Sequence, residues 1–131
     1  MENPKYYVAV FGEPNPPYKD TVESGKYNLG IRGTEIPTDP GDIILLYCTM
    51  NYPEHFMEVP GIGIVLNKDK DSIYYRYLPL HSPIKKDIID KSFTTHDKEK
   101  FSNIRFSTYW LFEITHESFA NAIGENSIDW P

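Results

Sequence analysis

Pro40–Leu66 runs PGDIILLYCTMNYPEHFMEVPGIGIVL, and its pattern decides the fold. A Pro-Gly-Asp turn launches an apolar run from Ile43 to Cys48, a polar and proline-broken lip follows over Thr49–Glu58, and a second apolar run, Val59–Leu66, opens on Pro60-Gly61. Both alternating faces of the first run are apolar, Ile43, Leu45 and Tyr47 on one and Ile44, Leu46 and Cys48 on the other. That pattern predicts strands covered on both sides. Such a pair belongs at the centre of a small barrel or sandwich. Functional residues concentrate on loops held by a rigid scaffold, so the lip is where a ligand would meet the protein.

The flanks supply further strands and short helices. Lys5–Phe11 (KYYVAVF), Ser72–Leu78 (SIYYRYL) and Thr108–Ile114 (TYWLFEI) are rich in β-branched and aromatic residues and read as strands. Glu13-Pro14-Asn15-Pro16-Pro17 is a stiff connection. Asp20 is placed to cap a short helical turn over Thr21–Ser24 that stops at Gly25. Ser82-Pro83 predicts a helix over Ile84–Lys91 that buries Ile84 and Ile88, with Ile89 at its edge. Thr95 starts another helix, reaching Phe101. Thr115 caps a last one with Glu117 in its first turn, Ile114 stapled to Phe119, Ile123 on the buried stripe and Gly124 past the end. Lys26–Gly33 (KYNLGIRG) has no clean periodicity and carries an amide and a guanidinium, which suits an irregular pocket wall.

These elements make one domain over residues 1–125, with 126–131 as a tail or the start of a linker. The expected fold class is α+β, a small mixed β-barrel of about five to six strands with short peripheral helices. Aromatics at 15 % and eleven prolines favour β structure over long helices. The net charge of −6 opposes broad electrostatic binding to nucleic acid, because backbone affinity comes from neutralised phosphates. One basic stretch, Lys85–Arg105, holds six basic against four acidic side chains. Cys48 is the sole cysteine, in an apolar run, which predicts an inert thiol and a reducing, cytoplasmic setting. No apolar run approaches the about 20 residues of a membrane span.

Catalytic and cofactor motifs are absent from the sequence. His55, His81, His96 and His116 are scattered without zinc-site spacing, so neither a metal nor another cofactor is expected. Gly61-Ile62-Gly63 lies inside a strand and fails as a phosphate cradle. The positive signal is aromatic and amide side chains gathering where loops meet the first strands: Tyr6 or Tyr7, Tyr27, Asn28, Tyr47, Thr49, Tyr52 and Phe56. Flat π-faces grip an unstacked base while amides read its edge.

The order of segments resembles the EVE domains of the PUA-like superfamily, relatives of YTH and ASCH domains. Those domains open with Tyr-Trp and a Glu-Pro pair, where this chain has Tyr6-Tyr7 and Glu13-Pro14. Their pocket wall, Asn-Tyr-Gln-Ala-Arg, is matched at its ends by Asn28 and Arg32. A Gly-Asp/Glu launch, a strand ending Phe-Tyr-His-Ser and a Pro-Gly-Ile-x-Gly strand correspond to Gly41-Asp42, Leu46–Thr49 and Pro60–Gly63. Lys26-Tyr27-Asn28 is also similar to the YTH cage motif, with Gly30 in place of its tryptophan.

The resemblance implies a PUA-like barrel that reads a modified base flipped out of DNA or RNA. It further implies a fused or partner nuclease or motor ATPase of a modification-dependent restriction system. The implied pocket is Tyr7, Tyr27, Asn28, Gly30, Arg32, Tyr47 and Thr49, with Lys85, Lys86, Lys98, Lys100 and Arg105 on the nucleic-acid backbone. Two other functions remain open: an ASCH-like hydrolase of a modified nucleoside, using Thr49 with Lys26 and Glu13, and a protein-interaction module that docks through the lip and the proline-rich loop.

Overall fold

A computed structural model describes residues 3–12, 21–28, 36–50, 52–102, 111–124 and 126. Six strands are formed there: β1 Tyr6–Phe11, β2 Lys26–Asn28, β3 Ile43–Cys48, β4 Glu58–Lys68, β5 Ser72–Lys85 and β6 Leu111–Ile114. Three short helices accompany them, α1 Lys86–Ser92, α2 Thr95–Ser102 and α3 His116–Ile123. The sheet order is β2-β5-β4-β3-β1-β6. Strands β1 and β3 are parallel and every other pairing is antiparallel. The fold is a small α+β unit whose mixed sheet is curled into a half-barrel.

The quoted stretch sits at the sheet's centre, as its two-sided apolar pattern requires. Asp42 fixes the launch: its Oδ1 accepts from the Lys5 amide at 3.0 Å and its Oδ2 from the Asp39 amide at 2.9 Å. Gly41 beside it has φ +94°, a conformation that side chains disfavour, and its amide donates to the Val65 carbonyl. Each face of the sheet then covers its own cluster. Val8, Val10, Leu45, Tyr47, Ile62 and Leu78 point toward the helices, meeting Ile89, Phe93, Phe101 and Phe119. Tyr7, Ala9, Phe11, Ile44, Leu46 and Cys48 point the other way, meeting Val22, Tyr27, Ile36, Tyr52 and Tyr75. Each fully buried Leu or Ile in these layers contributes roughly 1.5–3 kcal/mol.

The second cluster lies inside the curl. Tyr27 on β2 reaches β1, its ring 4.9 Å from that of Phe11, although three strands separate β2 from β1 in the sheet. The curl needs room for tyrosines on its inner wall. A Cβ on Gly61 would lie 2.6 Å from the Tyr77 ring, and one on Gly63 would lie 2.6 Å from the Tyr75 ring. The Gly-Ile-Gly pattern therefore admits two aromatic rings from β5 while Ile62 faces the helices.

Four expectations need correction or trimming. Lys26–Asn28 is regular strand, not irregular wall, because Lys26 pairs with Tyr74 and Asn28 with Ser72 at the sheet edge. Ser82-Pro83 does not open a helix: β5 continues to Lys85, with Ile84 opposite Val59 and buried at 2 % exposure. A register shift between Val59 and Gly61 absorbs the prolines, which are tolerated at bulges. The helix starts at Lys86 and buries Ile89, leaving Ile88 exposed. The turn over Val22–Ser24 is 3-10 with Thr21 at its N-cap and Gly25 at its C-cap, whereas Asp20 lies outside the described residues. The last strand spans Leu111–Ile114, and 108–110 lie outside the described residues.

The final helix follows its sequence closely. The Thr115 hydroxyl accepts from the Ser118 amide at 3.1 Å, and Phe119 is buried beside Ile114. No helix among the described residues is long and apolar enough to cross a membrane.

Candidate functional site

Residues of the sequence-derived pocket divide between the two faces of the sheet. Tyr7 and Tyr27 lie inside the curl at 1 % and 5 % exposure, and Tyr47 lies on the helix side at 3 %. Tyr47 pairs with Val10 in register, and alternation sends both toward the helices, where the Tyr47 ring meets Phe101 edge-on at 4.8 Å. The expectation that Tyr47 shares a cavity with Tyr27 is therefore corrected. The gathering of aromatic and amide residues where loops meet the first strands suggested a shared pocket; the strand's alternation sets Tyr47 on the face opposite to Tyr7 and Tyr27.

Inside the curl, tyrosine hydroxyls hold backbone. Tyr7 donates to the Pro37 carbonyl at 3.2 Å, Tyr27 to Val10 at 3.0 Å and Tyr75 to Val22 at 2.6 Å, and the Tyr52 hydroxyl accepts from the Val22 amide at 3.2 Å. Burial pushes the Tyr7 phenol up to about 12, reinforced by the charges of Glu113, Asp42 and Asp39. Burial raises Tyr52 as well, against a lowering hydrogen bond from Val22. These rings are neutral fixtures of the inner wall, and their π-faces are covered.

Thr49 and Asn28 are the polar members of the predicted pocket that the structure describes. Thr49 is buried just past β3; its amide donates to the Phe11 carbonyl at 3.1 Å and its carbonyl accepts from the Tyr52 amide at 3.1 Å. Gly12 abuts it with φ +96°, and a Cβ there would stand 2.8 Å from the Thr49 hydroxyl. Asn28 ends β2 at the sheet edge and is half-buried. Gly30 and Arg32 lie outside the described residues.

The predicted backbone-binding lysines are scattered: Lys85 lies at the end of β5 beside the lip, and Lys86, Lys98 and Lys100 lie on the helices. Lys85 pairs with Glu58, and Lys86 with Asp90 at 2.9 Å while lying over the Phe101 ring at 5.7 Å. Lys100 donates to the Glu113 carbonyl at 2.8 Å. Lys98 is exposed on α2, and Arg105 lies outside the described residues. Each acidic partner lowers the local positive potential that a phosphate would meet.

Two polar clusters escaped the sequence pattern. At the lip, the His55 Nε2 is 3.0 Å from Glu23, its Nδ1 is 3.4 Å from Glu58, and Glu58 in turn binds Lys85. The ring stacks on Tyr52 at 5.7 Å. Only the i,i+3 spacing of His55 and Glu58 was visible in sequence. Between α2 and α3, the buried Asp97 Oδ2 accepts from Ser118 Oγ at 2.6 Å, Thr115 Oγ1 at 2.8 Å, the Thr115 amide at 2.9 Å and Thr94 Oγ1 at 3.2 Å. Burial would raise the Asp97 pKa, but these hydrogen bonds outweigh it and hold the carboxyl below its usual range.

A groove of about 480 Å³ runs between the end of β5 and α3, lined by His81, Ile84, Ile88, Asn121 and Ile123. Asn126 bridges one side of it, its amide oxygen and nitrogen meeting the backbone of Ser82. Among the described residues, no group of three or more His, Cys, Asp and Glu is placed to hold a metal ion. Burial raises the Cys48 thiol far above its ordinary value, which keeps it protonated and unreactive. No protein-family model matches the chain, and no curated protein matches it.

Proposed function

We propose that this domain is a binding module that reads a modified base in nucleic acid, with the base received at the Asn28 end of the inner wall. One observation carries the proposal. The two stretches that flank the Asn28–Arg32 motif in sequence are held by tyrosine hydroxyls, Val22 by Tyr75 of β5 and Tyr52 of the lip, and Pro37 by Tyr7 of β1. Anchored backbone on either side of the motif lowers the ordering cost of binding at Asn28. The resemblance to EVE domains supplies the ligand class.

In this proposal the roles are redistributed. Asn28 and Thr49 hydrogen-bond the base edge, with Gly30 and Arg32 completing the motif, while Tyr7 and Tyr27 act as scaffold. Tyr47 supports the helix layer. The paired lysines and the net charge of −6 leave a modest electrostatic contribution, so affinity is weak and falls with salt. Such a module would serve as the specificity element for a nuclease or motor ATPase, fused or separate.

The test is titration of oligonucleotides, single- and double-stranded, that carry modified or unmodified cytosine or adenine. A preference for one modified base is expected, lowered about tenfold or more by Asn28→Ala and by Arg32→Ala and left intact by Tyr47→Phe; tenfold corresponds to about 1.4 kcal/mol. Equal affinity for every oligonucleotide, or an Asn28→Ala variant with undiminished preference, sinks the proposal.

A further inference from the structure

Every tyrosine of the aromatic group singled out in the sequence is buried or partly buried; Phe56, on the lip, is 59 % exposed. Met50, on the same lip, is 52 % exposed. A large apolar side chain held in water is unremarkable when the loop beneath it is loose. This loop is tied down at several points. Tyr52 is buried with its hydroxyl on the Val22 amide and its ring against His55. His55 lies between Glu23 and Glu58, Glu58 binds Lys85, and the Met57 carbonyl accepts from the Lys86 amide at 3.1 Å. Met57 itself has φ +51°, a left-handed conformation uncommon for a residue with a side chain. The chain thus tolerates an unfavourable backbone at the residue that follows Phe56.

The charges around Phe56 indicate what it meets. Glu54 is exposed and has no partner among the described residues. The Glu23 carboxylate is half-exposed, with one oxygen on His55. Among the described residues, the lysines where β5 meets α1, next to the lip, are answered internally, Lys85 by Glu58 and Lys86 by Asp90. Among the described residues, the unanswered charge at the lip is therefore acidic. It repels phosphate and attracts Lys and Arg.

We propose that the lip is a docking surface for a polypeptide segment that offers an apolar pocket rimmed by basic side chains, with Phe56 as the anchor, Met50 as a second exposed apolar side chain of the same lip, and Glu54 and Glu23 pairing with the rim. An exposed aromatic on a preorganised loop has the properties of an interface hot spot, since little ordering entropy is lost on binding. The docking argument does not rest on the base-reading role of Asn28, although Met50 directly follows Thr49, which that reading also uses.

The experiment places a photo-crosslinking p-benzoylphenylalanine at position 56 of the full chain in its native cells, with the same residue at the equally exposed Leu66 as control. The expected result is a protein adduct at 56 and not at 66, whose crosslinked peptide is apolar and flanked by Lys or Arg. Binding to that purified partner should fall at least about tenfold in Phe56→Ser and in Glu54→Lys. Reversing a rim lysine of the partner to glutamate should restore binding to Glu54→Lys. Both substitutions are at exposed positions, and circular dichroism confirms that the variants fold. The proposal is overturned by an adduct to nucleic acid, by an acidic crosslinked peptide, by no protein adduct beyond the Leu66 control, or by unchanged binding of Phe56→Ser.

Discussion

The Tyr27 hydroxyl donates to the Val10 carbonyl at 3.0 Å, joining β2 to β1 over the three strands that separate them in the sheet. This bond and the Tyr27–Phe11 ring contact hold the curl closed. Tyr27→Phe keeps the ring and removes this donor from the buried Val10 carbonyl. A loss of about 1–2 kcal/mol in urea unfolding is expected. An unchanged midpoint would show that the curl is held by packing alone.

Among the described residues, Asp97 is the one carboxylate buried between α2 and α3, and four donors converge on its Oδ2. Asp97→Ala strands those donors and is expected to cost about 3 kcal/mol, with Asp97→Asn between it and the native protein. The folded pKa lies below the unfolded one. The ionised form therefore stabilises the fold fully above the unfolded value of about 4, and the contribution is lost as pH falls through the folded value. The native protein should lose more stability than Asp97→Ala on acidification, measured by thermal melts at successive pH values; parallel losses would assign the acid sensitivity elsewhere.

Alkaline sensitivity has the opposite sign. Burial, with the charges of Glu113, Asp42 and Asp39, moves Tyr7 to about 12, and burial with Glu23, Cys48 and Tyr52 moves Tyr77 to about 12, from an ordinary value of 10.0. A raised folded pKa means that the neutral phenols stabilise the fold fully below pH of about 10, with loss as pH rises from there to about 12. Spectroscopic titration should show two classes of tyrosine, the late one titrating together with unfolding. Tyr7→Phe should remove part of the alkaline loss, and a single class near the ordinary value would contradict the burial.

Gly63 faces the Tyr75 ring so closely that an added Cβ would lie 2.6 Å from Cδ2 and 2.8 Å from Cγ. Gly63→Ala is expected to cost about 1–3 kcal/mol through overpacking. Combined with Tyr75→Leu, the penalty should be less than the sum of the two, because the smaller side chain vacates the space. Additive costs in a double-mutant cycle would mean that the ring moves aside freely.

How far the sequence could be read follows from which signals were local. The central pair was legible because six consecutive apolar residues, Ile43–Cys48, need cover on both faces wherever the strand lies. Thr115 and Phe119 were legible because capping and helical spacing act within one turn. Ser82-Pro83 misled for the complementary reason: a local helix-start signal was overridden by the pairing of Ile84 with Val59, a partner distant in sequence. Lys26–Asn28 showed no pattern of its own since its strand state comes from Ser72–Tyr74.

The site divides along the same line. The amino-acid order alone determined a two-sided sheet, an aromatic-rich chain, a buried thiol and an acidic net charge, all consequences of composition and of period-2 alternation. Tertiary structure decided that Tyr47 faces the helices while Tyr7 and Tyr27 face the curl, that tyrosine hydroxyls hold loop backbone, and that Phe56 alone among the candidate rings stands well out in solvent. It also brought Glu23, His55, Glu58 and Lys85 together from four separate elements. The physical reason is that strand periodicity assigns a side chain to a face, whereas which faces meet, and what remains uncovered, depends on how the sheet curls.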